Sequence, residues 1–239
     1  MNESLVLALF GARGDLATRM LFPSLYRLAA ADRLPEGFAV VGTGRTAPDS
    51  DDAFRDEIGA AIAESVDEPD QAVVDDLLSR LSFQASSADD GADLARAVTD
   101  TRKGLGSDTR TLIYLSVPPT AMEPLIGMLG REGLAEDARL IVEKPFGTDL
   151  ASSRQLDEAL KAVTDEDHVY RIDHFLGKES VQTLMALRFA NDAIDSFWNH
   201  EHVASVQIDV PETLGMEGRG SFYEKTGCFR DMVSTHLCQ

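Results

Sequence analysis

The apolar run Leu5 to Phe10 breaks directly into Gly11-Ala12-Arg13-Gly14-Asp15-Leu16-Ala17. This reads as a strand, a glycine turn and the start of a helix. In a dinucleotide-binding fold that turn faces the pyrophosphate, because glycines let the backbone approach while the helix N-terminus supplies N–H donors and a positive dipole. The spacing is G-x-x-G-x-x-A, not G-x-G-x-x-G, so the turn alone is a weak sign. Its position behind the first of several regularly spaced apolar runs gives it weight. Gly11 through Ala17 are therefore candidate cofactor contacts.

Further short runs follow at Phe38–Val41, Leu112–Val117 and Leu140–Val142 with helical stretches between them, as in a parallel α/β sheet. Leu21, Leu25 and Leu28 mark an amphipathic helix, with Pro23 as a kink. A second helix is expected after Ser50, and the acidic stretch Asp49–Asp70 reads as its solvated face. Beyond about residue 190 the period changes. Val206, Ile208 and Val210 alternate with Gln207 and Asp209, which predicts a half-buried strand of a new sheet that little chain remains to complete.

The second run leads into Val40-Val41-Gly42-Thr43-Gly44-Arg45, without the Asp or Glu that would hold a free ribose 2′-hydroxyl. An arginine there can clamp a 2′-phosphate, so Arg45 points to NADP over NAD. The last run ends in Glu143-Lys144-Pro145-Phe146-Gly147, placing Lys144 at the carboxyl edge of the sheet, within reach of both the nicotinamide side and a substrate. Arg171 to Glu179, RIDHFLGKE, sets His174 and Lys178 four apart. On one helix these would share a face and form an anion site, with Asp173 beside them. Near the end, His236 is a candidate general base and Asp173 a candidate partner for it.

Composition narrows the classes. A net charge of −19 opposes nucleic acid and anionic membranes, and no apolar run is long enough to span a bilayer. Two cysteines, Cys228 and Cys238, are too few for a disulfide framework, so both are expected to be reduced and structural, in a cytoplasmic protein. His200-Glu201-His202 lacks a third ligand at suitable spacing, and no metal site is expected there.

The motifs GARGDLA, EKPFG, RIDHFLGKE and EGRGSFYEKTGCFRDMVSTHL, in that order, resemble the glucose-6-phosphate dehydrogenase family across essentially the whole chain. The resemblance implies an α/β, Rossmann-like doubly wound NADP-binding domain over residues 1–173. Over 174–239 it implies the incomplete start of an α+β substrate and dimerisation domain. It also implies oxidation of glucose 6-phosphate to 6-phosphogluconolactone and a homodimer or tetramer for a full-length member; the alternatives for this chain are NADP binding alone, or another Rossmann-type sugar oxidoreductase, in which a Glu-Lys-Pro turn also occurs. In that frame His236 is the base and Asp173 orients it. His174 and Lys178 hold the 6-phosphate, Lys144 meets substrate and cofactor, and Glu212 and Asp231 bind sugar hydroxyls. The cofactor set extends from Gly11 to Thr18 and to Arg45. Departures from the family pattern are Phe175 in place of a frequent tyrosine, Ser234-Thr235 in place of Gln-Asn, and a length about half that of family members.

Overall fold

The computed structural model describes residues 4–147, 149–211, 220, 224 and 227–238. By internal contacts the chain divides into two compact units, Met1–Ile172 and Asp173–Gln239.

The first unit is built on six strands: β1 (Leu5–Phe10), β2 (Phe38–Gly44), β3 (Leu81–Ala85), β4 (Arg110–Leu115), β5 (Ala138–Glu143) and β6 (Val169–Ile172). All neighbours pair parallel in the order β3-β2-β1-β4-β5-β6. The four apolar runs became β1, β2, β4 and β5. The sheet edges β3 and β6 are shorter and more polar, which hid them from a hydrophobicity reading. Continuous apolar strands follow from burial on both faces. Val6, Ala8 and Phe10 of β1 join one core with Leu94, Ile126 and Leu156 of helices α4 (Ala92–Leu105), α5 (Pro119–Arg131) and α6 (Leu150–Lys161). Leu7 and Leu9 join the other, with Phe22, Phe54 and Leu77 of α1 (Phe22–Ala30), α2 (Asp51–Ser65) and α3 (Gln71–Ser79).

Helix starts are set by side chains. Ser50 accepts the Ala53 N–H at 3.1 Å and Asp70 the Ala72 N–H at 2.9 Å, and Asp149 with Ser152 closes a capping box on α6. Each such cap stabilises by about 1 kcal/mol. The segment after the glycine turn is wound as a π-helix over Ala17–Leu21 before becoming α1. Its buried face is Phe22, Pro23 and Tyr26, not Leu28, which is exposed, and Pro23 stands just after the π-wound turn, in a helical run that continues through it. Phe54 of α2 is fully buried, edge-on to Phe22 and Phe83 at 5.9 and 5.2 Å, and that burial contributes about 1.5–3 kcal/mol. Gly42 makes this possible: a Cβ there would lie 2.8 Å from the Phe54 ring.

In the second unit a 3-10 turn (His174–Gly177) leads to α7 (Glu179–Phe189) and α8 (Asp192–Asp195), and a π-helix spans Phe229–Leu237. The strand expected at Val206–Val210 does not form among the described residues, and Val206 and Ile208 are exposed. Alternation marks two faces, but a strand also needs a neighbouring backbone for its N–H and C=O groups, and none of the described residues pairs there. Cys228 and Cys238 are free and exposed, so neither fills the structural place expected of it. None of the described helices is long and apolar enough to cross a membrane.

Candidate active site

The sheet order reverses between β1 and β4, and the glycine turn sits there. Gly11 has φ +72°, and a Cβ on it would stand 2.0 Å from the carbonyl oxygen of Ser116, which follows β4. Only glycine fits that close approach. The Gly11 and Ala12 N–H groups donate to the Thr43 carbonyl at 2.9 and 3.2 Å, and Gly14 closes the turn onto the Gly11 carbonyl at 2.8 Å. Of the other predicted contacts, Ala12 and Ala17 are packed in the core, Leu16 and Asp15 are outward, and Thr18 donates to the Gly14 carbonyl at 3.1 Å.

Beside the turn lies an open cleft of ≈ 390 Å³ lined by Gly11, Arg13, Thr43, Arg45 and Glu57 among others. Arg13 Nε meets Glu57 Oε2 at 2.7 Å, both side chains about one-third exposed. Arg45 is exposed and forms no ion pair among the described residues. Glu57 was missed by the sequence reading, which placed it in a solvated helical face; α2 instead turns it into the cleft.

Lys144 lies just past the carboxyl end of β5, and the Lys144–Pro145 bond is cis. Behind it the Tyr114 hydroxyl donates to the Glu143 carboxylate. Burial first, and then that carboxylate, push the Tyr114 phenol well above its ordinary pKa, so it stays a protonated donor. Arg171 belongs to the first unit and faces Asp157 at 2.8 Å and Glu166.

In the second unit Asp173, His174, Phe175, Lys178 and His236 come together. His174 and Lys178 do not share one α-helical face: His174 starts the 3-10 turn and Lys178 is the N-cap of α7. Phe175 gathers them instead. Its ring stacks on His236 at 4.0 Å between centroids and 21° between planes, the Lys178 Nζ sits 3.9 Å over it, and the His174 ring stands edge-on to His236 at 4.9 Å. His236 Nδ1 is 2.6 Å from Asp173 Oδ1, with side chains 2% and 5% exposed. The same Oδ1 accepts the Phe175 N–H at 3.0 Å, which fixes the carboxylate. Donor atoms of Asp173, His174 and His236 all lie within 4.8 Å of one another. The π-helix carries both Asp231 and His236. Its i→i+5 winding brings residues five apart back toward one side, where an α-helix would separate them. Glu212 lies outside the described residues.

A doubly wound sheet in this order, with a glycine turn at its switch point and cations in the adjoining cleft, defines a dinucleotide-binding protein of Rossmann type. Two family models match in tandem: the glucose-6-phosphate dehydrogenase NAD binding domain over residues 8–183 and the glucose-6-phosphate dehydrogenase C-terminal domain over 185–239. The chain belongs to the glucose-6-phosphate dehydrogenase family. It is 40% identical to glucose-6-phosphate 1-dehydrogenase of Chlamydia muridarum, covering 98% of this chain and 48% of the relative. Against the same enzyme of Mycolicibacterium smegmatis it is 40% identical, covering 97% and 48%. A crystal structure of glucose-6-phosphate 1-dehydrogenase from Mycobacterium avium superposes with a TM-score of 0.87 at 39% identity, covering 99% of this chain and 50% of that one. A glucose-6-phosphate dehydrogenase in complex with its substrate glucose 6-phosphate superposes with a TM-score of 0.89 at 33% identity, covering 99% and 50%. The chain thus spans about half the length of the relatives it matches.

Proposed function

We propose that this chain carries the cofactor site, the base and the phosphate grip of an enzyme that oxidises glucose 6-phosphate to 6-phosphogluconolactone with NADP, in the cytoplasm. The observation behind the proposal is the buried Asp173–His236 contact at 2.6 Å, with His174 and Lys178 packed around the same Phe175 ring. Asp173 occupies the Nδ1 side of the imidazole, which leaves Nε2 to take the proton from the anomeric hydroxyl. The buried carboxylate then stabilises the imidazolium. His174 and Lys178 receive the 6-phosphate through charge-assisted hydrogen bonds. Asp231, on the helix of the base, and Glu212 are assigned to sugar hydroxyls, and Lys144 to substrate and cofactor.

The residues present fit a dinucleotide. The glycine turn Gly11–Gly14 leads straight into a helix at the switch point of the sheet, where a pyrophosphate would sit, and the cleft beside it, lined by Arg13 and Arg45, suits the 2′-phosphate of NADP. When bound, NADP supplies the hydride acceptor. Two exposed free thiols fit a reducing compartment. The test is NADP reduction followed by absorbance, with glucose 6-phosphate and with free glucose. Turnover confined to the phosphorylated sugar is expected, and equal rates would remove the phosphate site from the account.

A further inference from the structure

The strand-end position that usually decides cofactor choice holds no carboxylate in this chain, yet the fold brings one into the cleft from a different element. Glu57 projects from the middle of α2 to the glycine turn and meets Arg13 at 2.7 Å. The charged side chains lining the cleft are Arg13, Arg45 and Glu57, two positive and one negative. One of the two cations is therefore already answered, while Arg45 forms no ion pair among the described residues.

We propose that Glu57 is a specificity-determining residue, which lowers the preference of this cleft for NADP over NAD by neutralising Arg13 and offering an acceptor to a free ribose hydroxyl. The proposal rests on the dinucleotide reading above. Its chemistry follows from what differs between the two cofactors. A 2′-phosphate carries nearly two negative charges and gains from every unshielded guanidinium, whereas a 2′-hydroxyl gains from a carboxylate acceptor. Glu57 repels the first and can accept from the second. Its pairing with Arg13 also competes directly for the guanidinium donors that a phosphate would take. Both side chains are about one-third exposed, so water and salt moderate the effect without abolishing it.

The experiment is equilibrium titration of NADP and of NAD, by calorimetry, into the unsubstituted chain, Glu57→Gln and Arg13→Gln. Glutamine keeps the size of Glu57 and removes its charge. Glu57→Gln is expected to tighten NADP about fivefold and leave NAD unchanged or weaker, so the NADP to NAD preference rises. Arg13→Gln, which leaves the carboxylate uncompensated, is expected to weaken NADP about tenfold and NAD by less than about threefold. Raised salt should shrink both changes. A preference that is unchanged or lowered in Glu57→Gln overturns the proposal while leaving dinucleotide binding intact. If neither dinucleotide binds the unsubstituted chain, the dinucleotide reading fails and this inference falls with it. Circular dichroism of each variant separates a changed preference from a misfolded chain.

Discussion

His236 Nδ1 lies 2.6 Å from Asp173 Oδ1, and both side chains are almost wholly shielded from water. A carboxylate buried against an imidazole fixes which nitrogen acts and compensates the charge that proton uptake creates. His236→Asn is expected to lower kcat by roughly 10²–10⁴-fold while the dissociation constant for glucose 6-phosphate changes by less than about threefold. Asp173→Asn should lower kcat less than His236→Asn does. Single-turnover kinetics with a parallel binding titration checks both, and an unchanged kcat in His236→Asn would assign the base elsewhere.

Phe175 gives the cluster a shared surface, because the His236 ring and the Lys178 ammonium both pack on its ring. Stacking and cation–π contacts of this kind are worth about 0.5–2 kcal/mol each. Phe175→Leu is expected to lower kcat/KM about tenfold, since it removes both contacts. Phe175→Tyr keeps the ring and should at least match the unsubstituted chain. Steady-state kinetics on the two variants decides this, and equal damage by Leu and Tyr would deny the ring its role.

At Gly11 the backbone is left-handed, φ +72°, and a Cβ would press on the Ser116 carbonyl at 2.0 Å. Gly11→Ala should therefore cost at least about 2 kcal/mol, a fall in Tm of roughly 4–8 °C, and should weaken dinucleotide binding. Thermal unfolding followed by circular dichroism gives the first and a titration the second. A stable variant with intact binding would contradict the geometry given to the turn.

Arg171 ties β6 to the end of α6. Lys161 first, and then Arg171, hold the Asp157 carboxyl below its ordinary pKa, and Arg171 does the same for Glu166. A carboxyl whose folded pKa is lowered contributes stability that is fully present above the ordinary carboxylate value and is lost as pH falls through the lowered one. Arg171→Gln is thus expected to reduce Tm slightly near neutral pH and by progressively less in acid. A difference in Tm that stays constant across pH would show that Arg171 acts by packing.

The doubly wound sheet was legible because β1, β2, β4 and β5 are buried on both faces and read as continuous apolar runs. β3 and β6 were not legible, since they are half-covered and polar enough to pass for loops. The strand predicted at Val206–Val210 failed for the opposite reason: its periodicity is local, whereas pairing depends on a neighbour. His236 and Asp173, paired in the sequence by their chemistry, come within 2.6 Å of each other, and His174 and Lys178, grouped by charge, pack around the same Phe175 ring. The spacing argument for that cluster was wrong, because a 3-10 turn and a helix cap replace the single helix it assumed. Glu57 was illegible altogether. An acidic side chain on an amphipathic helix reads as solvated unless one knows which turn the helix packs beside.

The proposed grip of His174 and Lys178 on a phosphorylated sugar, beside the proposed Asp173–His236 base, is tested most directly by calorimetric binding of glucose 6-phosphate and of free glucose to the unsubstituted chain and to a His174→Ala, Lys178→Ala double variant. With each charged hydrogen bond worth about 1.5–3 kcal/mol, the unsubstituted chain should prefer the phosphorylated sugar by at least about 100-fold, and the double variant should lose that preference. Equal affinity of the unsubstituted chain for the two sugars, or a preference that survives the double substitution, would contradict it.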